Sequence, residues 1–514
     1  MSKTIIIIGA GLAGLSAALQ AAENGCNVKL VSSLPSERAQ SVMAEGGINA
    51  ALNTKDENDS PEEHFTDTIK AACGLADPNA VWGMTQAAPE LVHWLLKLGV
   101  KFNMSGYDDV DLRNFGGQKK KRTAFAQSDT GKQIMTAMID AVRRKEASGM
   151  VERFSHHSFL TLRLCGNICC GCVIRDEYSQ ETVELPGDAV IVATGGMHGL
   201  FGNTTGSLSN TGEVTAELFR LGVPLSNGEM IQYHPTTVKC GGKRMLISEA
   251  ARGEGGRLFA MKDGKQWYFM EEKYPELGNL MPRDITAREI WKVSHESEVF
   301  LDMTEISEEI ISNKLSGLAD DCMTYLHKDI RKEPVSVLPG IHYFMGGILV
   351  DEQHRTPIQN LYAAGECCAQ YHGANRLGGN SLLGALYGGR VAAKSACEQA
   401  DVVDLSCATQ IDFPPASQIS EIKQLNKVMQ ETMGVVRNEN TLLNGIQTVQ
   451  ALTGNLPLLG MAVLKSALAR KESRGAHWRE DYPKSNDNDY LKPTVARFDG
   501  KQIQISFVPV PERR

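Results

Sequence analysis

The sequence predicts an α/β protein with a doubly wound parallel sheet, because strand-like apolar runs alternate with glycine-rich turns and helical patterns. The first apolar run covers residues 5–8 and leads through a glycine-rich turn into an alanine-rich helical pattern that continues to Glu23. A second run at residues 28–32 completes a strand–helix–strand unit. Two later segments, residues 188–196 and 361–366, also pass from a buried strand into glycine. In a doubly wound sheet these glycine turns meet at one edge.

The first turn has the sequence Gly9-Ala10-Gly11-Leu12-Ala13-Gly14, which fits the G-x-G-x-x-G pattern of dinucleotide sites. In that pattern the first glycine permits the turn, the second lets backbone amides approach a pyrophosphate, and the third allows close helix-to-strand packing. A glycine-rich turn without a ligand is the alternative, and the strand–helix–strand context favours a nucleotide. No acidic residue ends the second strand, where Ser32 and Ser33 stand, so the ribose contact is not located.

Composition limits the classes of partner. The chain has 514 residues, of which 42% are hydrophobic, and a formal net charge of -8. Two or three globular domains are expected, and neither nucleic acid nor an anionic membrane surface is favoured as a main partner. The 12 cysteines are scattered, which predicts a reducing, cytosolic compartment and no structural disulfides. No stretch is apolar enough to span a membrane, and the N-terminal apolar run leads directly into the glycine turn rather than into a cleavage site.

Two segments in the second half of the chain place cationic side chains within glycine-rich backbone. They are residues 342–347, which begin with His342, and residues 373–382, which contain Arg376. Glycine lets backbone approach a flat ligand closely, and fixed positive groups suit a substrate with two carboxylates. The two segments therefore look like the wall of a site that holds a flavin and a dicarboxylate in contact, as hydride transfer between them requires.

Further motifs extend this pattern over nearly the whole chain. They are Ala44-Glu45-Gly46-Gly47, Gln232-Tyr233-His234-Pro235-Thr236, Ser248-Glu249-Ala250-Ala251-Arg252-Gly253-Glu254-Gly255-Gly256, Met281-Pro282-Arg283-Asp284 and Gly379-Asn380-Ser381. With these motifs the chain resembles the flavoprotein family that contains succinate dehydrogenase, fumarate reductase and L-aspartate oxidase. The resemblance implies an α/β fold in which a doubly wound, Rossmann-like FAD-binding domain carries an inserted α+β capping domain and a helical C-terminal domain.

Carried onto this chain, the resemblance implies four segments. The FAD-binding domain takes residues 1–225 and resumes at 341–400, the capping domain takes 226–340, and the helical C-terminal domain takes 401–514. Apolar spacing from Ile419 to Met433, and again over residues 461–468, agrees with helices in the last segment. The active site is expected between the first two domains, where the cap would close over the substrate and exclude water.

The resemblance also implies the chemistry. A hydride passes between flavin N5 and one central carbon of a four-carbon dicarboxylate, and a proton is exchanged at the neighbouring carbon. Arg283 would donate and accept this proton, fed through Glu249 and Arg252. Five residues would bind the substrate: Phe115, His234, Ser248, His342 and Arg376. Of these, His234, His342 and Arg376 would hold the carboxylates and polarise the double bond. The alternatives are structural, with Arg283 in a helix-start ion pair with Asp284 and the histidines hydrogen-bonded in the core.

FAD would be bound by the glycine turns and by the strand ends beside them. The implied contacts are Gly9, Gly11, Leu12, Ala13, Gly14, Ser32, Gln40, Ser41, Ala44, Glu45, Gly46, Gly47, Ala193, Thr194, Gly195, Gly196, Gly365, Glu366, Arg376, Gly379, Ser381 and Leu382. This set joins the first turn to the turns after the two later strands, and it requires that all of them meet at one edge of the sheet.

Three departures from the family pattern narrow the prediction. Gln40 stands six residues before Gly46, where succinate dehydrogenases and quinone-linked fumarate reductases carry the histidine that bonds covalently to the flavin. FAD is therefore expected to be noncovalent. Phe115 stands where the similar oxidases have a glutamate for the substrate ammonium, which argues against L-aspartate oxidase. Gly384 replaces a usual acidic residue and puts one cofactor contact in doubt.

These features predict a fumarate reductase or succinate dehydrogenase flavoprotein that favours fumarate reduction, because loss of the covalent link is expected to lower the flavin potential. L-Aspartate oxidase is the alternative within the family, and a non-catalytic flavin-binding protein is the alternative outside it. A separate iron–sulfur subunit is a candidate partner. The expected location is the cytoplasm, with peripheral attachment to the inner face of the cell membrane through partner subunits.

Other reactive side chains receive structural interpretations. Four cysteines lie in a stretch that alternates like a pair of strands: Cys165, Cys169, Cys170 and Cys172. No metal site is expected there or elsewhere in the chain. Cys367 and Cys368 are expected to pack beside the flavin wall. The basic run at residues 119–122 is interpreted as a solvated loop, with Arg122 at an interface or near the flavin. A polar loop without metal is expected for Asp108, Asp109 and Asp111.

Overall fold

The computed structural model describes residues 2–106, 109–401, 413 and 418–514. Its strands are β1 Thr4–Ile8, β2 Asn27–Ser32, β3 Ile48–Asn49, β4 Leu112–Arg113, β5 Thr123–Ala124, β6 Val151–Ser155, β7 His157–Cys165, β8 Ile168–Asp176, β9 Thr182–Pro186, β10 Ala189–Val192, β11 Leu225–Ser226, β12 Ile231–Cys240, β13 Lys243–Leu246, β14 Arg257–Lys262, β15 Lys265–Trp267, β16 Val299–Asp302, β17 Val335–Ser336, β18 Leu338–Phe344, β19 Gly347–Leu349, β20 Leu361–Ala363, β21 Cys368–Ala369, β22 Thr494–Phe498 and β23 Ile503–Phe507. Its α-helices are α1 Leu12–Glu23, α2 Pro61–Ala71, α3 Pro78–Leu98, α4 Thr130–Ala147, α5 Glu213–Arg220, α6 Glu249–Gly253, α7 Phe269–Lys273, α8 Arg283–Val293, α9 Glu308–Lys314, α10 Ser316–Asp321, α11 Asn380–Gln399, α12 Ile419–Thr432, α13 Glu439–Gln450, α14 Asn455–Ala469 and α15 Asp487–Tyr490.

A five-stranded parallel sheet in the order β20-β10-β1-β2-β6 forms the centre of the nucleotide-binding region. β1 lies between β10 and β2, with Ile5 opposite Ala189 on one side and Val28 on the other. The strands predicted at the first, second and two later apolar runs are all present. Because they run parallel, the turns that follow β1, β10 and β20 meet at one edge of the sheet.

The turn after β1 requires glycine for steric reasons. Gly9 has a φ of +110°, which L side chains rarely adopt, and a Cβ placed on it would lie 2.2 Å from the backbone oxygen of Ala193. A Cβ on Gly14 would lie 1.8 Å from the backbone oxygen of Gly9. Helix α1 can therefore pack against the turn only if residue 14 is glycine. The predicted sequence of strand, turn and helix is confirmed.

Alternate residues of β1 face two different cores. Ile5 and Ile7 belong to a core that includes residues of α1, α3, α4 and α11. Ile6 and Ile8 belong to a second core, which includes residues of the β7-β8-β9 sheet, α5 and α14. Since both faces of the sheet are covered, the strand is apolar throughout rather than alternating.

Mixed α+β elements between β11 and β19 form the cap. β12 pairs with β13 and β18, and β14 pairs with β15 and β16, which leaves β17 at the edge of the second sheet. A separate apolar cluster that includes Ile247, Leu258 and Ile290 packs within these elements. Helices α6 and α8 begin at Glu249 and Arg283, so both of these side chains stand at helix N-termini on the cap.

The C-terminal region is helical from Ile419 to Ala469, where α12, α13 and α14 occur in succession. It then forms the β22–β23 hairpin, which the sequence analysis did not predict. β22 pairs with β11, and Val495 lies opposite Ser226. Asp499-Gly500 between two strand-like runs is a local hairpin signal that the sequence analysis overlooked. The pairing of β22 with β11, in contrast, depends on a partner that is remote in the chain.

The cysteine group lies on β7 and β8. Cys169 and Cys172 are fully buried on β8, and within the described ranges no three His, Cys, Asp or Glu side chains are placed to hold a metal ion. Cys165 is disulfide-bonded. The expectation of a chain without structural disulfides is therefore wrong at this residue, because scattering along the sequence says nothing about proximity in space.

The basic run at residues 119–122 is only partly solvated. Arg122 is fully buried and pairs with Asp59 and Asp67, at 2.8 Å in each case. Arg122, which was expected at an interface or near the flavin, is instead enclosed within the fold, since the two carboxylates allow its burial. Asp111 pairs with Lys55 at 2.5 Å and Asp109 is exposed, whereas Asp108 lies outside the described residues. In the described part of the chain, every helix is too short or too polar to cross a membrane.

Candidate active site

A cavity of about 930 Å³ lies between the glycine edge of the central sheet and the cap. Its walls come from the turns after β1, β10 and β20, from the N-terminus of α11, and from the cap residues at the starts of α6 and α8. The cavity therefore brings together segments from the beginning, middle and later part of the chain. Its volume is in the range of cofactor and substrate sites.

Nearly all the predicted cofactor contacts line this cavity. They are Gly9, Gly11, Leu12, Ala13, Ser32, Gln40, Ser41, Ala44, Glu45, Gly46, Gly47, Ala193, Thr194, Gly195, Gly365, Glu366, Arg376, Gly379, Ser381 and Leu382. Gly14 and Gly196 do not line it. A Cβ on Gly196 would lie 2.7 Å from both Glu366 and Phe344 side-chain atoms, so this glycine, like Gly14, permits close packing behind the wall.

The residues present fit a flavin dinucleotide. A Cβ on Gly11 would touch only side-chain atoms of Ser41 and Ala39, at 3.6 and 3.8 Å, so the start of α1 is open to the cavity. Helix α11 begins beside Gly379, and its first residues line the same cavity. Two helix N-termini thus face one space. This arrangement suits the two negative phosphates of a pyrophosphate.

Sequence reasoning missed one end of the cavity. Beyond Ser32, the lining includes Ser33, Arg38, His156, His157, Glu177, Tyr178 and Glu213. Ser32 lies opposite Ser155 in the sheet, and His156 follows directly, so this end adjoins the carboxyl ends of β2 and β6. The His156 and Tyr178 rings lie 5.1 Å apart. The turns that carry them have no recognisable motif, so the sequence contained no signal for this end.

Arg283 and Glu249 form the most tightly connected pair in the cavity. Arg283 donates from Nε to Glu249 Oε2 at 2.7 Å, and its Nη2 lies 2.6 Å from the same oxygen. Burial raises the pKa of Glu249, but the charges of Arg283 and Arg252 outweigh burial and lower the pKa overall. Glu249 is therefore held as a carboxylate. Its Oε1 accepts from the amide of Gly116 at 3.1 Å.

Arg252 lies behind Glu249 rather than on the cavity surface. Its Nη2 is 3.4 Å from Glu249 Oε1, and its Nη1 donates to the backbone oxygen of Asn279 at 2.6 Å. It does not line the cavity. The predicted order of Arg283, Glu249 and Arg252 thus runs from the cavity wall into the cap.

The helix-start ion pair between Arg283 and Asp284, which was the structural alternative, is not the contact that forms. Asp284 instead accepts from Asn375 Nδ2 at 2.9 Å. Burial raises the pKa of Asp284, and the charge of Arg288 partly offsets this effect. The guanidinium of Arg283 consequently makes its contacts with Glu249 and Gln232, beside the cavity.

Gln232 connects the two arginines of the cavity, a role that the motif containing it did not reveal. Its Oε1 accepts from Arg283 Nη1 at 3.1 Å and from Arg376 Nη2 at 3.0 Å. Its Nε2 donates to Asn375 Oδ1 at 2.8 Å and to the Arg376 backbone oxygen at 2.9 Å. The amide is therefore held at both ends, and it sets the spacing between the two guanidinium groups.

Arg376 is buried and cationic. Its guanidinium carbon lies 4.3 Å from the centre of the Tyr343 ring, and its Nε has no hydrogen-bond partner among the described residues. Burial and the neighbouring Arg283 lower the pKa of Arg376 to about 9. The group thus remains protonated at neutral pH, and an anion in the cavity would relieve the repulsion between the two arginines.

His234 and His342 stand together, with ring centres 5.2 Å apart. His342 Nδ1 is 2.8 Å from Thr205 Oγ1, and His234 Nδ1 lies 3.1 Å from the backbone oxygen of Thr236 and 3.3 Å from its amide nitrogen. Burial, followed by the charge of Arg283, lowers the pKa of both histidines. They are neutral, and each can donate one N–H. His234 Nε2 has no partner within the described ranges, which suits a ligand contact.

Phe115, Ser248 and Glu45 complete the wall. Phe115 is buried, and Cβ atoms on Gly46 and Gly378 would lie 3.1 and 3.0 Å from its ring. Burial, together with the charge of Asp321, raises the pKa of Glu45 to about 8, although Arg113 and a hydrogen bond from Ser248 oppose the shift. Phe115 therefore contributes an apolar surface, and Glu45 a carboxyl group that is protonated at neutral pH.

The remaining sequence-predicted positions lie behind the wall. A Cβ on Gly384 would be 3.2 Å from the Tyr371 ring, and Gly384 does not line the cavity. Cys367 is buried and its Sγ lies 3.3 Å from the Val192 backbone oxygen. Cys368 is buried as well, and neither thiol lines the cavity. This placement agrees with packing beside the wall.

Comparisons with known proteins agree with this geometry. The family model described as FAD binding domain matches residues 4–382, and the one described as fumarate reductase flavoprotein C-term matches residues 453–513. The fold and the cavity define an FAD-dependent oxidoreductase. The chain belongs to the succinate dehydrogenase and fumarate reductase flavoprotein family, whose members are oxidoreductases of the EC 1.3 class.

Three relatives illustrate the similarity. The succinate dehydrogenase flavoprotein subunit of Bacillus subtilis is 37% identical, over 100% of this chain and 98% of the relative. The 8-methylmenaquinol:fumarate reductase flavoprotein subunit of Wolinella succinogenes is 32% identical, over 100% and 92%. A solved structure of Escherichia coli quinol fumarate reductase FrdA has a TM-score of 0.90 at 27% identity, over 99% of this chain and 97% of that one. The similarity extends over the whole chain.

Proposed function

We propose that the protein interconverts fumarate and succinate, with proton transfer at Arg283. The observation that carries this proposal is the bridge at Gln232, which holds the Arg283 and Arg376 guanidinium groups 3.1 and 3.0 Å from one oxygen. The amide thus fixes Arg283, the proposed proton-transfer residue, beside Arg376, which is left to bind an anion, and His234 and His342 line the same cavity. Such a site suits a small ligand with two anionic ends. A four-carbon dicarboxylate is such a ligand, and charge-assisted contacts at both ends would orient its central carbons.

The carboxylates are assigned to three side chains. Arg376 takes one carboxylate through its unpartnered Nε–H group. The neutral imidazoles of His234 and His342, 5.2 Å apart, donate N–H groups to the other. Phe115 and Ser248 line the same space and exclude water from it. Since carboxylate binding draws electron density from the double bond of fumarate, these contacts also favour hydride addition.

Arg283 is assigned to proton transfer because a buried carboxylate contacts it directly. A guanidinium normally keeps its proton, so proton donation requires a desolvated site and a neighbour that passes a proton back. Arg283 and Glu249 are both more than nine-tenths buried, and their contact is 2.6 to 2.7 Å long. Arg252 supports Glu249 from behind. The route is therefore from Arg283 through Glu249 toward Arg252.

FAD would supply the hydride or accept it at the wall formed by the glycine turns. We propose that its attachment is noncovalent. Gln40 lines the cavity at the position that the family resemblance assigns to the linking histidine, and an amide cannot form that bond. Retention of FAD then depends on the N-termini of α1 and α11 and on the cavity end that contains His156 and Tyr178.

Fumarate reduction is proposed as the favoured direction. In the family, the covalent link raises the flavin potential, so its absence would leave a flavin that gives electrons more readily. For a two-electron couple, a shift of about 30 mV changes the equilibrium about tenfold. A modest decrease in potential would therefore be enough to favour reduction of fumarate over oxidation of succinate.

A partner subunit is proposed as the electron source. The two relatives described above are named as flavoprotein subunits, which is consistent with assembly of this chain with other proteins. An iron–sulfur subunit at the inner face of the cell membrane would supply electrons there. Isolation of the protein from its own cells, followed by identification of any stoichiometric iron-containing subunit, tests this assignment.

The test of the reaction compares three dicarboxylates under anaerobic conditions. The reduced holoprotein is mixed with fumarate, and the oxidised holoprotein with succinate or L-aspartate, while flavin absorbance is followed. We expect rapid reoxidation by fumarate, slower reduction by succinate and little reduction by L-aspartate. Faster reduction by L-aspartate than by succinate would instead support an L-aspartate oxidase. Failure of all three to exchange electrons would support a non-catalytic flavin-binding protein.

A further inference from the structure

Cys26 and Cys397 form a thiol pair that is separate from the active-site cavity. Their Sγ atoms lie 3.0 Å apart, although the residues are 371 positions apart in the chain. Neither residue lines the cavity, and both are free thiols in the structure. The Sγ–Sγ separation of 3.0 Å is about 1 Å longer than a disulfide bond, whose length is about 2.05 Å. A small rearrangement would therefore be enough to join them.

The pair links two helices that also form the cofactor site. Cys26 lies in the turn after α1, and Cys397 lies in the last turn of α11. The two helices touch closer to their N-termini as well, where Ser16 Oγ donates to the Leu386 backbone oxygen at 2.6 Å. A Cβ on Gly389 would lie 2.3 Å from the Ala13 backbone oxygen, so the helices are in close contact. A bond between the thiols would thus join two helices whose first turns line the cavity.

The two thiols differ in access to solvent. Cys26 is 5% exposed, whereas Cys397 is half-buried and can meet a small reagent. Burial and the contact with Cys26 raise the pKa of the Cys397 thiol, and the charge of Lys3, whose Nζ donates to the Cys397 backbone oxygen at 2.8 Å, only partly offsets this effect. Its exposure therefore makes Cys397 the entry point for a reagent. Cys26 is the resolving thiol, which can attack the sulfur of Cys397 once that reagent is attached.

We propose that Cys26 and Cys397 are a reversible dithiol–disulfide pair that reacts with low-molecular-weight disulfides. In its oxidised form the pair slows the release of FAD. Cys397 attacks the small disulfide, forms a mixed disulfide with one half and releases the other half as a thiol. Cys26 then attacks Cys397, forms the internal disulfide and releases the second half. Two protons and two electrons pass from the protein to the reagent, which leaves as two thiols. The effect on FAD rests on the proposed noncovalent attachment.

The test uses the holoprotein, oxidised glutathione and four proteins: the unmodified chain, Cys26→Ser, Cys397→Ser and Cys73→Ser. Cys73 is a half-buried free cysteine whose side-chain contact is with the backbone oxygen of Ala71, which makes it a matched control. Peptide mapping without reduction should find a Cys26–Cys397 cross-link in the unmodified and Cys73→Ser proteins. Reduction by dithiothreitol should remove it. Absence of the cross-link after complete oxidation of a dithiol standard in the same mixture would overturn the proposal.

The second measurement follows FAD release by its fluorescence after dilution. Oxidation should slow release about fivefold or more in the unmodified protein, since a cross-link restricts separation of the two helices. Oxidation should leave the rate of FAD release unchanged in the Cys26→Ser and Cys397→Ser proteins. A cross-linked protein that releases FAD at the rate of the reduced protein would overturn the link to the cofactor. If FAD were covalent, flavin would stay with a peptide in the map, and this result separates failure of the proposed function from failure of the thiol pair.

Discussion

Arg283 contacts Glu249 through two nitrogens that converge on one carboxylate oxygen, at 2.7 Å from Nε and 2.6 Å from Nη2. The other oxygen of Glu249 is held by the Gly116 amide and by Arg252. In an apolar core such a buried ion pair would have a structural role only, and removal of one partner would leave the other charge uncompensated. Here the pair lines a cavity with a second arginine and two neutral histidines, so a bound ligand can contact it.

The first prediction concerns attachment of the cofactor. Because Gln40 cannot bond to flavin, acid precipitation of the holoprotein should release all the yellow chromophore into the supernatant. The measurement is the distribution of flavin absorbance between pellet and supernatant. Flavin fluorescence that remains with the denatured polypeptide on a gel would contradict the noncovalent assignment.

The second prediction concerns Arg376. Replacement by Ala should raise the apparent KM for fumarate about 10- to 100-fold, because a hydrogen bond to a charged group contributes about 1.5–3 kcal/mol. Turnover at saturating fumarate should fall much less, since Arg283 keeps its contacts with Glu249 and Gln232. Steady-state kinetics of the Arg376→Ala and Arg376→Lys variants measure this separation. An unchanged KM in Arg376→Ala would remove Arg376 from the carboxylate site.

The third prediction concerns substrate choice. Phe115→Glu would place a carboxylate in the apolar wall next to the dianion, so binding of succinate should weaken by about tenfold or more. Phe115→Leu keeps an apolar side chain and is the control. Equilibrium titration of the oxidised holoprotein with succinate gives both affinities. Equal weakening in the two variants would show that ring packing matters and charge does not.

The fourth prediction concerns pH and stability of the FAD-free protein. The folded-state pKa of Glu45, about 8, lies above its ordinary value of 4.5, so the folded protein holds this proton more tightly than the unfolded chain. The stabilisation is complete below pH 4.5 and is lost as the pH rises toward 8. Thermal unfolding of Glu45→Gln should therefore depend less on pH between 5 and 8.

Glu152→Gln is the control for Glu45→Gln, because Glu152 is an exposed carboxylate on β6. It should leave the pH dependence of Tm unchanged. If Glu45→Gln followed the same pH profile as the unmodified protein, Glu45 would not be held protonated in the folded state.

More of the sheet than of the site could be predicted from the sequence. The parallel strands were predictable, because both faces of β1 are buried and its apolar run is continuous. The glycine turn was predictable for a steric reason that the structure shows at Gly9 and Gly14. The bridging role of Gln232 was not predictable, since it depends on Asn375 and Arg376, which are 143 and 144 residues away.

Long-range pairing explains the other differences as well. Arg122 is part of a basic run in the sequence, yet it is buried because Asp59 and Asp67 reach it from other segments. The Cys26–Cys397 contact and the pairing of β22 with β11 likewise join residues that are far apart in the chain. No local pattern encodes such neighbours, so only the folded structure identifies them.

The most direct test of the central claim is the rate at which fumarate oxidises the reduced flavin in the Arg283→Ala holoprotein, measured anaerobically in a single turnover. Fumarate affinity is measured separately on the oxidised protein. The proposal predicts a rate loss of about 10²- to 10⁴-fold, the usual contribution of a proton donor, with affinity within about tenfold of the unmodified protein. A rate within about threefold of the unmodified protein at saturating fumarate would contradict the assignment of Arg283 as the proton-transfer residue.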